Sequence, residues 1–177
     1  RVTFYILVIL RQDFLKRMDI VFKNDNLVRM AFTDSSWRQG DWQRESNQRL
    51  EFFGDAVLSV LVSEYLIRKF VYKKEGDLTN IRSALTRQTT LALVAEELGM
   101  EPCIYWGRSD SVMERRRVLA DAFEALIGAL VLDQGYHAPR MFVRKVILSR
   151  VQDLPNTTSL VSPKNRLQTR ANKAGKV

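Results

Sequence analysis

The sequence predicts an all-α fold, and two observations support this. Apolar residues recur at intervals of three and four along most of the chain, as they do on one face of an α-helix. The alternation of apolar and polar residues that marks a half-buried strand is nearly absent. The 177 residues, of which 46% are hydrophobic and 27% charged, are typical of one globular domain with short appendages.

The first ten residues, RVTFYILVIL, are apolar but fall short of the ~20 that a helix needs to cross a bilayer. They are expected to form a strand or helix that leads in from something upstream, because the chain begins without an initiator Met. Apolar spacing then predicts helices near residues 14–21, 27–31, 50–65 and 91–98.

Turn chemistry separates about seven predicted helices. Breaks are expected at residues 23–26, 34–47, 75–77, 107–114 and 135–139. Asp77 is expected to cap a helix that begins at Leu78, and Gly99 to end a helix that begins near Thr89.

The predicted organisation has three parts. Residues 1–11 form the lead-in, residues 12–153 form the domain, and residues 154–177 form a basic linker. No acidic residue follows Asp153, whereas five basic residues do, among Asn, Thr, Ser, Gly and Pro. No internal repeat or low-complexity tract is visible.

Charge and side-chain inventory restrict the function. The excess of 28 Lys and Arg over 20 Asp and Glu gives +8, which favours a polyanionic partner such as nucleic acid or acidic lipid, although a basic chain can also simply be soluble. Cys103 and His137 are the sole cysteine and histidine, which excludes an internal disulfide, a Cys/His zinc site and a His-based triad. Catalysis would have to use carboxylates, hydroxyls or lysines, and an intracellular, reducing compartment is compatible with this composition.

Two pairs of acids lie in otherwise apolar helices. Asp55 lies four positions after Glu51 in NQRLEFFGDAVLSVLV, and Glu124 lies three positions after Asp121 in LADAFEALIGALVL. Asp55 is expected in a stripe that would otherwise be buried. Burying an ionised group without a partner costs several kcal/mol, so a cation must compensate these acids.

Either groups of the protein or a bound metal ion could compensate the charge of these acids. Each acid could pair with an Arg or cap a neighbouring helix, which is the usual explanation for one such pair. Alternatively, if the two helices cross at Gly54 and Gly128, the four carboxylates could converge. Oxygen ligands without His or Cys select Mg²⁺ or Mn²⁺, and a water bound to Mg²⁺ can be the nucleophile for phosphodiester hydrolysis.

At these residues the sequence resembles ribonuclease III. NQRLEFFGDAVL, residues 47–58, matches a family signature that reads like NERLEFLGDAVL. VLADAFEALIGALVLDQG, residues 118–135, is similar to the second acidic motif, and EGDLTNIRSAL, residues 75–85, resembles the connecting helix. The resemblance runs from about residue 12 to residue 168 and is closest to the eukaryotic, Drosha-like members.

The resemblance implies a helical endonuclease domain that hydrolyses double-stranded RNA and leaves 5′-phosphates and short 3′ overhangs. The family's catalytic metal ligands correspond to Glu51, Asp55, Asp121 and Glu124, with Mg²⁺ as cofactor and Mn²⁺ as a substitute. Phe52 corresponds to an aromatic residue that inserts into the other subunit of a dimer, although periodicity alone is equally compatible with a core Phe.

Several basic or polar residues are predicted to contact RNA. Arg115, Arg116 and Arg117 precede the second acidic helix, where they could meet phosphates or form a solvated charged face. Gln48 stands where bacterial members carry an additional Glu near the metal site, a departure that bears on product release or a second metal. Lys164 belongs to SPKNRLQ, a segment similar to the one that leads into a double-stranded-RNA-binding domain, which is absent from this chain.

One further departure is Asp34 in AFTDSSW, which replaces a His that is common in the family. The sequence alone predicts no mechanistic consequence of this difference at Asp34.

Two alternatives remain open. The chain could be a non-catalytic member, like the ribonuclease III-like proteins of mitochondrial ribosomes, although retention of the acidic set argues against this. It could also pair with another ribonuclease III domain, as in Dicer and Drosha, rather than with itself. No membrane partner is expected, and the nucleus, cytoplasm and mitochondrion are all compatible compartments.

Overall fold

Helices form most of the chain in the computed structural model, which describes residues 2–37, 45–107 and 109–152. These ranges contain seven α-helices, two 3₁₀ turns (Glu101–Cys103 and Leu148–Gln152) and no strand. The α-helices are α1 (Val2–Met18), α2 (Asp25–Ala31), α3 (Gln48–Lys69), α4 (Glu75–Thr86), α5 (Gln88–Glu97), α6 (Val112–Gln134) and α7 (His137–Val146). The all-α prediction is therefore confirmed. The predicted linker at residues 154–177 lies outside the described residues.

The first helix runs from the lead-in into the predicted domain without a break. Apolar spacing extends to Val21, but α1 ends at Met18 because Asp19 takes a left-handed backbone with φ 61°. The N–H of Ile20 donates to the carbonyl of Leu15, and that of Asp19 to Lys16, which is a Schellman ending. Asp tolerates this conformation better than most residues other than glycine.

The helix boundaries follow local chemistry. Gly99 ends α5 as predicted: its φ is +72°, and the N–H of Met100 donates to the carbonyl of Ala95. The prediction that Asp77 caps α4 is wrong, because the helix begins at Glu75 after Lys74. Asp77 instead lies in the first turn, where a negative charge favours the positive end of the helix dipole.

Helix α6 is the centre of the domain. Its residues are buried almost continuously from Val118 to Val131, as expected of a helix covered on all sides. It packs against α2, α3, α5 and α7, and its most extensive contact is with α3.

Helices α3 and α6 cross at two glycines, which is the condition that the metal-binding alternative required. A methyl group on Gly54 would lie 1.8 Å from the carbonyl oxygen of Glu124, and one on Gly128 would lie 2.3 Å from that of Leu50. Any side chain there would force the helices apart.

A short bridge fixes the segment after α2. Thr33 and Tyr105 form an isolated parallel bridge, and the N–H of Asp34 donates to the carbonyl of Tyr105 at 2.8 Å. The bridge holds residues 33–36 beside the start of α6. Among the helices described, none is both long enough and apolar enough to span a bilayer.

Candidate metal centre

Three carboxylates meet where α3 crosses α6. Glu51 lies in the first turn of α3, and Asp121 and Glu124 lie one turn apart on α6. Each offers an oxygen atom within 4.8 Å of the others. The structure thus brings together three of the four acids predicted to bind metal.

The glycine crossing explains this convergence. Because Gly54 has no side chain, the α6 backbone at Glu124 lies directly against α3. The three-residue spacing of Asp121 and Glu124 places both carboxylates on one face of α6. That face is turned toward Glu51, whose N–H donates to the carbonyl of the buried Asn47.

Asp55 does not join this group. It is exposed, so the expectation that it lies in a buried stripe is wrong. Asp55 shares its helix face with Val62, which is fully buried, but the neighbouring elements leave that face open at Asp55. The charge of Asp55 nevertheless contributes to the raised pKa of Glu124.

Burial and neighbouring acidic charges disfavour the ionisation of these carboxylates. Burial and the charges of Asp55, Asp121 and Glu51 raise the pKa of Glu124 to about 8. Burial also raises the pKa of Glu51, and the nearby Asp121 adds to this. Near neutral pH, Glu124 therefore binds a proton that a divalent cation would displace.

Arg117 compensates one acid of the group. Its Nη1 lies 2.6 Å from Oδ2 of Asp121, yet burial still keeps the pKa of Asp121 above its ordinary value. The alternative in which an arginine pairs with one of these acids is therefore confirmed for Asp121. Within the described ranges, neither Glu51 nor Glu124 has a Lys or Arg nitrogen within 4.0 Å.

Asp34 belongs to the same network, which the sequence did not reveal. Its side chain is 1% exposed, and its Oδ2 lies 3.3 Å from Nη1 of Arg117. Two signals were available: the departure from the family's His, and a serine two residues later, which favours a local side-chain turn.

The residues predicted to contact RNA have different surroundings. Arg115 pairs with Glu101 at 2.5 Å and Glu96 at 2.8 Å, whereas Arg116 is exposed. Gln48 is exposed at the start of α3, and Lys164 lies outside the described residues. RNA contact stays a prediction for all of them, including Arg117.

Phe52 lies on the surface next to Glu51. It is 81% exposed, so it is not a core residue. Val60 and Ile67 are 60% and 66% exposed on the same side of α3. Helix α3 therefore has a second apolar face in addition to the one that packs against α6.

The donor set fits a hard divalent cation. Glu51, Asp121 and Glu124 supply carboxylate oxygens, and the cluster contains no sulfur or imidazole ligand. Mg²⁺ and Mn²⁺ prefer such ligands. The cluster could therefore hold a metal ion.

Comparisons with known proteins agree with the fold and the motifs. Residues 24–151 match a family model described as ribonuclease-III-like. Ribonuclease 3 of Bacillus velezensis is 36% identical over 147 residues, which is 80% of this chain and 59% of the relative. Ribonuclease 3 of Pelotomaculum thermopropionicum is 44% identical over 124 residues, or 67% of this chain and 52% of the relative.

Solved structures give the same result. The nuclease domain of ribonuclease III from Campylobacter jejuni has a TM-score of 0.68 at 32% identity, covering 77% of this chain and 94% of that domain. Dicer from Pichia stipitis has a TM-score of 0.60 at 30% identity, covering 75% of this chain and 58% of that one. The chain spans about three fifths of the length of its first curated relatives. A closer likeness to Drosha-like members stays a prediction.

Proposed function

Because this chain belongs to the ribonuclease III-like family, we propose that it is an endonuclease that hydrolyses double-stranded RNA. The products are expected to carry 5′-phosphates and short 3′ overhangs. The observation that carries the proposal is the convergence of Glu51, Asp121 and Glu124 at the helix crossing. These acids are too costly to bring together for packing alone, because burial and neighbouring acidic charges raise the pKa of each of them.

The proposed cofactor is Mg²⁺, with Mn²⁺ as a substitute. Glu51, Asp121 and Glu124 would hold the ion, and Asp55 is proposed as the fourth acid at the open side of the site. A bound Mg²⁺ supplies charge for the scissile phosphate and lowers the pKa of a bound water. The protein contributes a fixed set of acidic ligands, since the glycine crossing allows little movement between α3 and α6.

The basic surface is proposed to bind the RNA backbone. Arg116 is exposed in the turn of α6 that precedes Asp121, and Gln48 is exposed one turn of α3 before Glu51 and Phe52. A-form RNA is recognised through its shape, phosphates and 2′-hydroxyls, so little base specificity is expected. The net charge of +8 predicts binding that weakens with salt.

The exposed apolar face of α3 is proposed as a dimer interface. A two-fold axis would bury the same patch, Phe52, Val60 and Ile67, on both partners. Because Phe52 follows Glu51, the two metal centres would lie on either side of this interface. The related Campylobacter domain is described as having a region involved in dimer formation. The partner is a second copy of this chain or another ribonuclease III domain.

The domain organisation is also a proposal. Residues 12–153 would form the endonuclease domain, and residues 154–177 a basic linker toward a double-stranded-RNA-binding domain outside this chain.

The test is cleavage of end-labelled duplex RNA by the purified chain in Mg²⁺, in Mn²⁺ and in EDTA. We expect cutting in either metal and none in EDTA, with single-stranded RNA of the same sequence resistant. Glu124→Gln should abolish cutting but leave RNA binding nearly unchanged, because Lys and Arg make most backbone contacts. Binding without cleavage by the wild-type chain in both metals would favour the non-catalytic alternative.

A further inference from the structure

Asp34 is a buried carboxylate that the proposed reaction does not use. It is 1% exposed, between α2 and α3. Its Oδ1 accepts hydrogen bonds from the N–H of Ser36 at 2.9 Å and from the Ser36 hydroxyl. The Ser36 hydroxyl oxygen also accepts from the N–H of Gly107 at 3.0 Å. The backbone N–H of Asp34 also donates to the carbonyl of Tyr105, so hydrogen bonds hold both the side chain and the backbone of Asp34.

The cation that faces Asp34 is Arg117. Nη1 and Nη2 of Arg117 lie 3.3 and 3.5 Å from the two carboxylate oxygens of Asp34. The same Nη1 lies 2.6 Å from Oδ2 of Asp121. One guanidinium is therefore shared between a rigid carboxylate and a proposed metal ligand. The side chain of Arg117 is 39% exposed, so the packing around Arg117 leaves its guanidinium room to move.

This arrangement affects the metal ligand in two ways. Because Arg117 contacts Oδ2 of Asp121, it restricts the rotamer of Asp121, and this ion pair does not involve Oδ1. Because Asp34 neutralises Arg117, the guanidinium repels an incoming cation less than a lone arginine would. Residues that orient a metal ligand in this way commonly affect metal affinity strongly.

We propose that Asp34 is a positioning residue of the metal centre: it holds Arg117 against one carboxylate oxygen of Asp121 and leaves the other oxygen for a divalent cation. The inference rests on the proposed function, since it requires Glu51, Asp121 and Glu124 to bind that cation. Asp34 acts through Arg117 and makes no contact with the metal itself.

The first measurement is Mn²⁺ binding by calorimetry to the folded wild-type chain and to Asp34→Asn. We expect roughly 10- to 100-fold weaker binding in the variant, because an unneutralised Arg117 competes with the metal for Asp121. Asp34→Glu, which keeps the charge, should bind Mn²⁺ nearly as the wild type does. A purely structural role for Asp34 would lower the Tm but leave the Mn²⁺ affinity of the folded protein unchanged, and that result would overturn the proposal.

The second measurement asks whether Asp34 acts through Arg117. In an Arg117→Gln background, Asp34→Asn should change Mn²⁺ affinity by about twofold at most, because the group it positions is gone. An equal loss in both backgrounds would mean that Asp34 acts through its own charge, which contradicts the proposal. If Asp34→Asn alone does not fold, the double variant, which removes both charges of the pair, still overturns the proposal when it binds Mn²⁺ much more weakly than Arg117→Gln does.

The same preparations separate this proposal from the proposed function. If the wild-type chain cuts duplex RNA and Asp34→Asn binds Mn²⁺ normally, only the positioning role is wrong. If the wild-type chain binds Mn²⁺ but does not cut RNA, the nuclease proposal fails, while weaker Mn²⁺ binding by Asp34→Asn still supports the positioning role.

Discussion

Gly54 on α3 lies directly against the backbone of Glu124 on α6, so closely that a methyl group on Gly54 would be 1.8 Å from the Glu124 carbonyl oxygen. One of the proposed metal ligands is therefore positioned by the absence of a side chain on the opposing helix. The packing of the core and the geometry of the acidic cluster depend on the same contact.

The first prediction follows from this contact. Gly54→Ala should force the helices apart and lower the free energy of unfolding by about 1–3 kcal/mol or more, as overpacking of a core does. Cleavage should fall further than the folded fraction, because Glu124 moves away from Glu51. Thermal denaturation and a duplex-cleavage assay check this. Gly76→Ala is the matched control: an added methyl group meets nothing within 4 Å there, so both properties should be unchanged or slightly improved.

The second prediction concerns pH. The pKa of Glu124 is about 8 in the folded chain, above the ordinary value of 4.5, so the folded state holds a proton that the unfolded state releases. Stability from this proton is fully present below about pH 4.5 and is lost as the pH rises toward 8 and beyond. The metal-free protein should therefore have a lower Tm at pH 8.5 than at pH 6, and Mg²⁺ should reverse most of this loss.

Glu124→Gln should remove most of that pH dependence between pH 6 and 8.5. Asp110→Asn, which alters an exposed carboxylate before α6, should retain it. A Tm of the metal-free wild type that does not change over this interval would contradict the prediction.

Much of the site was predictable from the sequence because its determinants are local. The spacing of Asp121 and Glu124 places both acids on one helix face, and the two glycines in apolar helices mark where those helices could cross. The exposure of Asp55 was not predictable, since periodicity gives a direction around a helix but not whether another element covers it. Asp34 and Arg117 are 83 residues apart, and their pairing depends on the bridge between Thr33 and Tyr105. No local pattern encodes that contact.

The third prediction separates two acids that look equivalent in the sequence. Glu124→Gln should raise the Tm of the metal-free protein near pH 8, because it removes a repelling charge without losing an ion pair. Asp121→Asn should not, since it weakens the bond to Arg117 at a cost on the order of 1 kcal/mol. Both variants should lose cleavage. Equal stabilisation by the two would show that Arg117 contributes little to holding Asp121.

The fourth prediction concerns the apolar face of α3. Phe52→Ala should weaken self-association and, with it, paired cutting of both strands, while the Tm of the monomer changes little because Phe52 is 81% exposed. Light scattering over a concentration series checks this. Tyr72→Ala is a suitable control, since Tyr72 is 99% exposed and lies beyond Lys69, the last residue of α3, which is about 25 Å along the helix axis from Phe52. A wild-type chain that is monomeric yet makes paired staggered cuts would exclude the self-dimer, whereas a monomeric and inactive chain would favour another ribonuclease III domain as partner.

The fifth prediction distinguishes an arginine that contacts the RNA backbone from arginines near the site that pair with acids of the protein. Arg116 is exposed, whereas Arg115 and Arg117 are held by acids of the protein. Arg116→Ala should therefore weaken duplex binding equally for unrelated RNA sequences and reduce the slope of log affinity against log salt by about 1. Fluorescence anisotropy with catalytically inactive Glu124→Gln as the parent measures binding without cleavage.

Arg144→Ala, on the exposed side of α7, removes the same charge elsewhere and should leave the slope nearly unchanged. If both variants lower the slope equally, the arginine acts only through the overall charge of the domain, and the proposed phosphate contact at the start of α6 is wrong.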